Sequence, residues 1–251
     1  MMALVKTPLG MNARNFLYIR RFNKSRGKRI ADDKLLTKKL LLERGLSTTA
    51  LIATFINHQQ VRRFRWEKLP EKFVVKPSRG YGGEGVLVVL DWDGEYGKDP
   101  NGTLIDKKEL TSHVFNILEG IYSLGLTPDN AFVEAFIKPK KMFKNIPSIG
   151  VPDIRIVVFQ GIPSMAMLRL PTEISGGKAN LHQGALGIGI DIATGITTYS
   201  MLHGKRVTNF PETKHKLNGL KIPGVGRHPC ACNKSAKRNR AWFRRCRHCH
   251  R

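Results

Sequence analysis

A lysine set just ahead of a run of glycines, with strand-forming residues on both sides, can hold a phosphate. Residues 73–89, FVVKPSRGYGGEGVLVV, have this form. Val74 and Val75 lead into Lys76 and Pro77, then Gly80, Gly82, Gly83 and Gly85 free the backbone to bend around an anion, and Val86 to Leu90 resume an apolar strand. Backbone N–H groups in such a loop can converge on a phosphate while Lys76 supplies a full positive charge. Two common nucleotide motifs fail to fit. Walker A places Gly-Lys-Ser/Thr after its loop and opens a helix, as does the dinucleotide-binding glycine fingerprint, whereas here the lysine comes first and a strand follows. A plain glycine-rich hairpin is the competing interpretation.

More residues of the same chemical kind follow in order. Glu134 lies in an apolar strand-like run, where its carboxylate can meet a ribose hydroxyl and the backbone of Ala135 and Phe136 an adenine edge. Asp153 and Arg155 are two apart on one expected strand and so share a face, with Arg169 on the neighbouring strand. Lys178, Asn180 and His182 make a polar loop ahead of a glycine-rich strand. Taken singly, each has an ordinary structural explanation: Asp153 with Arg155 or Arg169 as an ion pair, Glu134 as a sheet-edge charge, His182 as a hydrogen-bonded loop residue.

The elements that must position these side chains are legible in outline. Asp32 or Asp33 caps a helix through Leu35, Leu36, Leu40 and Leu41 that Gly45 stops, and residues 51–56 form a short strand. Residues 61–70 read as a basic connection and 91–106 as a turn-bearing insertion with a strand near Thr103 to Ile105. Leu110, Val114, Ile117, Leu118 and Ile121 have helical spacing in a helix over 108–124 that Gly125 ends. Strands then follow: AFVEAFIK, DIRIVVFQ with a Gly161-Ile162 turn into PSMAMLRLP, residues 184–191, and ITTYSML after a Thr194-Gly195 turn. Strand-rich halves flanked by single helices indicate an α+β fold with antiparallel sheets.

The net charge of +24 ordinarily indicates nucleic acid or an anionic surface as partner, but its distribution narrows that. Nine Lys/Arg and no acid lie from Arg227 onward, and a second acid-free basic stretch runs from Lys6 to Arg29. That start reads as a solvated basic face, or one attracting anionic substrates, rather than a transit peptide, since Asn15 to Ile19 reads as packed structure. No apolar run approaches the roughly 18 residues that cross a bilayer. A cytoplasmic protein with no membrane partner is expected.

The ordered segments DDKLLTKKLLLERGL, FVVKPSRGYGGEGV, VEAFIKP, PDIRIVVF, MAMLRLPT and GGKANLHQGALGIGID resemble the ATP-grasp fold, and most closely the alpha-L-glutamate ligase-like proteins related to the glutamate ligase RimK. The resemblance covers roughly residues 10–223. It implies ATP-dependent carboxylate-amine ligation through an acyl phosphate, with ATP, Mg2+, a carboxylic acid and an amine as partners. By motif position it implies that Lys76 holds the ATP phosphates under the loop of Gly80, Gly82, Gly83 and Gly85, and that Glu134, Ala135 and Phe136 form the adenosine hinge. Asp153 would lie near the nucleotide, Arg155 and Arg169 would act as catalytic residues at the transferred phosphoryl group, and Lys178 with Asn180 would line the mouth. Lys34 and Lys38 fall in the first matched segment, where a helix lysine is ordinarily solvated.

The resemblance fails at the end. Such ligases finish with a Glu-x-Asn strand that holds two magnesium ions, and after Pro223 nothing supplies it, so no metal ligands are assigned and the metal-site portion is expected to be missing. The expected organisation is a basic, helical lead-in (1–70), a nucleotide-binding region (71–223), and a non-native or disordered tail (224–251). That tail holds Cys230, Cys232, Cys246 and Cys249 beside His228, His248 and His250. A shifted reading frame or a truncated, replaced terminus is one interpretation, a basic zinc-binding module that contacts nucleic acid a second, and an undefined basic tail the third.

Overall fold

The computed structural model describes residues 10–138, 150–211, 213 and 215–222. The Cys/His-rich tail, and with it the zinc, nucleic-acid and reading-frame interpretations, lies outside the described residues.

The described chain opens with α1 (Met11–Ala13), which continues as a π-helical stretch through Arg20. The expectation of packed structure here is corrected: Phe16 and Leu17 are 61% and 57% exposed. The segment touches the body through Tyr18 and Phe22, whose rings meet Phe159 at 5.9 and 5.2 Å. Helices α2 (Ser25–Asp32) and α3 (Lys34–Leu42) follow. Asp33 caps α3 by accepting from the Leu36 amide at 2.9 Å, as the sequence indicates.

Four antiparallel strands form the first sheet: β1 (Leu51–Phe55), β2 (Phe73–Pro77), β3 (Leu87–Val89) and a later strand, β6 (Ala131–Ala135), in the order β1-β6-β2-β3. Between β1 and β2 the expected basic connection is instead α4 (His58–Arg63) and a single 3-10 turn at Trp66–Lys68. The Asn57 side chain caps α4, and Val61 and Trp66 are drawn into the core, so local capping and burial override a charge-rich composition. A small ribbon, β4 (Tyr96–Lys98) with β5 (Leu104–Asp106), leads into α5 (Lys107–Leu118), whose start carries a capping box between Asp106 and Glu109. Leu110, Val114, Ile117 and Leu118 form its buried stripe against β2 and β6, each contributing about 2 kcal/mol by burial.

Helix α5 is shorter than its periodicity suggests. It ends at Leu118 because Gly120, at φ +83°, turns the chain back so tightly that a Cβ there would lie 2.2 Å from the Thr127 carbonyl oxygen. Gly125 plays no part in stopping it.

The second sheet holds β7 (Asp153–Phe159), β8 (Ile162–Leu170), β9 (Leu186–Ile190), β10 (Thr197–Leu202) and β11 (Lys205–Val207) in simple antiparallel succession. The β7–β8 turn sits at Gln160 and Gly161, one residue earlier than expected, both with positive φ as a two-residue hairpin requires. The β10–β11 turn, at His203 and Gly204, is built the same way and closes onto β11, a strand that sequence reading did not anticipate.

Period-two alternation gives this sheet two chemically different faces. Ile154, Ile156, Val158, Leu168, Leu186 and Ile188 pack against Phe210, Leu217 and Ile222. Asp153, Arg155 and Arg169 emerge from the other face. The described residues thus form an α+β structure of antiparallel sheets flanked by helices, as expected.

Because Gly120 combines a left-handed backbone with contact to a carbonyl, Gly120→Ala is expected to lower stability by at least about 2 kcal/mol. Urea unfolding compared with Gly125→Ala, which meets nothing within 4 Å, checks this; equal losses would show that α5 is not stopped by the close approach at Gly120.

Candidate active site

The β2–β3 hairpin places Lys76 at the root of its glycine loop. Lys76 stands opposite Phe132 on β6, two residues from Glu134, which makes Lys76 and Glu134 diagonal neighbours on one face of the sheet. Their side chains form an ion pair through Glu134 Oε1. Lys38 Nζ reaches the same carboxylate from α3, 2.9 Å from Oε2, and also donates to the Thr49 carbonyl at 2.6 Å. Glu134 is only 5% exposed and Lys38 8%. Burial by itself would raise the Glu134 pKa, but the charge and hydrogen bond of Lys76, followed by those of Lys38, outweigh it and hold the carboxyl below its ordinary range.

Two ammonium groups against one carboxylate leave this buried cluster with one unit of positive charge. Lys38 is therefore not the solvated helix lysine expected from sequence. The sequence does hold a signal for it: Lys34 and Lys38 are i,i+4 neighbours, a like-charge pair that only facing acceptors make favourable. Both have such acceptors. Lys34 Nζ donates to the carbonyls of Gly80 at 2.8 Å and Ser78 at 3.2 Å, so α3 grips the near end of the loop. Ser78 Oγ donates to Asp33 Oδ1 at 2.7 Å, and the Arg79 amide donates to Asp129 Oδ2 at 2.7 Å, fixing that end further.

The far end of the loop is pinned by α5 and the turn after it. His113 Nε2 lies 3.0 Å from the Gly85 carbonyl, and the Tyr122 ring packs so closely that a Cβ on Gly85 would sit 2.6 Å from it. His113 is pushed below its ordinary pKa chiefly by burial, with the Gly85 carbonyl opposing. Gly82, Gly83 and Gly85 all have positive φ, the conformation the loop requires.

Across from the loop stands the polar face of the second sheet. Asp153 and Arg169 are register partners on β7 and β8 and form a two-point ion pair, Arg169 Nε donating to Oδ1 at 2.6 Å and a terminal nitrogen to Oδ2. The structural explanation available for these two residues is thus realised. Arg155 differs: among the described residues it has no carboxylate within 4 Å. Its pKa is lowered first by burial and then by the neighbouring charge of Arg169, with Asp153 opposing, Arg14 adding to the lowering and the Tyr81 hydroxyl group opposing. The guanidinium stays charged at any ordinary pH, so it is a half-buried cation beside another cation.

The segment 172–184 bridges loop and sheet. Thr172 and Ser175, both buried, exchange hydrogen bonds that fold its first turn, and Thr172 Oγ1 donates to the Gly184 carbonyl at 2.8 Å. This places Asn180 Nδ2 3.1 Å from the Gly82 carbonyl and Lys178 beside Glu84 at 3.9 Å. His182 is exposed and, among the described residues, makes no such contact across the loop.

Of the residues picked from sequence, the structure brings Lys76 and Glu134 into one cluster, Asp153, Arg155 and Arg169 into a second, and Lys178 and Asn180 against the glycine loop between them. Ala135 ends β6 with its amide donating to the Ala50 carbonyl at 2.9 Å, and Phe136 follows it half-buried. An adenine edge meeting this hinge would use groups other than the Ala135 N–H. Tyr81, Glu84 and Gln183 belong to the site by position and were passed over in sequence, while Lys38, named there, was read as a solvated helix lysine.

No three His, Cys, Asp or Glu side chains come together to hold a metal ion among the described residues. The carboxylates at hand are engaged by other groups, Glu134 by two lysines, Asp153 by Arg169 and Glu84 by Gln183 and Lys178. The described residues therefore do not fit a magnesium site.

Glu134→Gln leaves Lys38 and Lys76 buried without a counter-charge and is expected to cost about 3 kcal/mol at neutral pH. Since the folded carboxyl titrates below its unfolded value, the unfolded state binds more protons in acid. The gap between wild type and variant is full above about pH 4.3 and closes as pH falls through the folded pKa. Urea unfolding from pH 7 to pH 3 checks this; a gap independent of pH would remove the paired carboxylate from the account.

The sequence matches the family described as sugar-transfer associated ATP-grasp over residues 13–228. Among solved structures, D-alanine–D-alanine ligase from Helicobacter pylori is similar at 14% identity and a TM-score of 0.34, the match covering 84% of this chain and 58% of that one. Phosphoribosylamine–glycine ligase from Thermotoga maritima is 15% identical with a TM-score of 0.41, covering 85% and 55%. D-alanine–D-alanine ligase from Bacillus anthracis is 17% identical with a TM-score of 0.33, covering 86% and 65%. This chain spans between 55 and 65% of the length of those three proteins. No curated protein matches it. With a family match running through the glycine loop, the lysine–glutamate cluster and the arginine strands alike, the chain belongs to the sugar-transfer associated ATP-grasp family.

Proposed function

We propose that this chain binds ATP beneath the glycine loop and belongs to an ATP-dependent ligase that joins a carboxylic acid to an amine. The observation that carries the reading is the arrangement of cations about one loop. Lys76 and Lys38 stand at its root with a net positive charge, Lys178 flanks it, and Arg155, with no carboxylate within 4 Å among the described residues, carries its charge on the sheet opposite. Such preorganised positive charge is what phosphoryl transfer needs, because the transferring group spreads negative charge over its oxygens without forming a bond to the protein.

In the proposed reaction a carboxylate oxygen of the acid attacks the γ-phosphorus, the bond to the β–γ bridging oxygen breaks, and ADP leaves. The amine nitrogen then attacks the acyl carbon, phosphate departs with the carbon–oxygen electron pair, and the nitrogen loses a proton to give the amide. Lys76 and Lys38 would hold phosphate oxygens and Gly80, Gly82, Gly83 and Gly85 would cover them. Glu134, Ala135 and Phe136 would border the adenosine. Arg155 would face the transferred phosphoryl group, with Arg169 and Asp153 holding it in place and Lys178 and Asn180 at the mouth. Magnesium accompanies ATP in this fold family, and no step here is routed through it. The narrower kinship with glutamate ligase-like proteins, and glutamate as the acid, rest on the ordered sequence segments alone.

Calorimetric titration with ATP in magnesium buffer tests the reading. Wild type is expected to bind, and Lys76→Ala to bind at least about tenfold more weakly through loss of a charge-assisted contact. Equal binding by the two proteins would end the assignment of the loop. Arg155→Ala is expected to retain ATP binding within a few-fold.

A further inference from the structure

Two side chains that the proposed chemistry leaves unused meet across the site. Glu84, in the glycine loop, accepts a hydrogen bond from Gln183 Nε2 at 3.2 Å, and the same Oε1 lies 3.9 Å from Lys178 Nζ. Beside this contact Asn180 donates to the Gly82 carbonyl. The two partners are 99 residues apart in sequence and stand on separate sheets' connections, so the contact spans the mouth between loop and sheet.

The two sides differ in how they are held. Gln183 sits in a one-turn helix whose start is capped by Asn180 and whose outer segment is locked by the buried Thr172–Ser175 turn. Among the described residues its Oε1 has no hydrogen-bond partner, and Nε2, the side of the amide that a carboxylate can accept from, faces Glu84. The ends of the glycine loop are anchored by Lys34 and by His113 with Tyr122. Its middle is held by Asn180 and Gln183.

We infer that Glu84 is a positioning residue: with Gln183 it clasps the glycine loop over the bound triphosphate and slows nucleotide release, while its charge keeps Lys178 beside the loop. The inference rests on the ATP reading above. The contact is half-exposed, so it adds little to the stability of the whole fold but acts directly on the balance between open and closed loop. Of the two links, the hydrogen bond from the Gln183 amide closes the loop, and the longer one to Lys178 only orients a lysine that a phosphate attracts more strongly.

Release of a fluorescent ATP analogue, mant-ATP, chased by excess ATP in a stopped-flow instrument, tests this. Glu84→Ala and Gln183→Ala are each expected to release mant-ATP about five times faster than wild type, the double variant no faster than either, with melting temperatures unchanged. Glu84→Gln keeps an acceptor for Gln183 and is expected to stay within about twofold of wild type. Binding by wild type with unchanged release from Glu84→Ala and Gln183→Ala overturns the clasp and leaves the ATP site standing. A Glu84→Gln variant that releases as fast as Glu84→Ala overturns the assignment of closure to the hydrogen bond from Gln183. Failure of wild type to bind mant-ATP overturns the site itself and the clasp with it.

Discussion

One buried carboxylate holds two lysines that come from different parts of the chain, and the arrangement of the site follows from it. Glu134 lies on one of the two inner strands of the first sheet, Lys76 on the other, and Lys38 on a helix more than thirty residues earlier in sequence. Ammonium groups are costly to bury unless paired and hydrogen-bonded, so the pairing fixes where α3 rests against the sheet. That placement in turn brings Lys34 onto the carbonyls of Ser78 and Gly80. A helix that appears in sequence as a lead-in becomes the support of the glycine loop.

The same electrostatic logic recurs in opposite form on the second sheet. Asp153 gives both carboxylate oxygens to Arg169, which neutralises that pair and leaves Arg155 to carry the outward charge. A half-buried guanidinium next to another is unfavourable until an anion arrives, and the anion then gains what the protein lacks. Positive charge held in place by the fold needs no reorganisation when negative charge develops, which is the property a phosphoryl-transfer site exploits. The glycine loop, short of side chains and pinned at both ends, lies between the two charged clusters.

Much of this was legible from residue order. The glycine loop with Lys76, the β7–β8 pair with its shared face of Asp153 and Arg155, and the capped α3 all follow from local rules of alternation, periodicity and capping. The boundaries that moved did so for physical reasons. Helix α5 stops at Leu118 because the return of the chain at Thr127 demands Gly120, and α4 forms where composition suggested only a connection because Val61 and Trp66 are needed in the core. Charge pairing was the least legible part: Lys38 looked like any lysine on a helix.

Sequence by itself determined which chemical groups are available and which of them share a strand face or a helix face, since those relations depend on spacings of two to four residues. Only the tertiary structure decided that Lys38 and Lys76 share one carboxylate, that Arg169 rather than Arg155 takes Asp153, and that Gln183 meets Glu84. Each of those choices joins residues from 16 to 99 positions apart. Burial and strand register, not local propensity, set which charges lie close enough to pair.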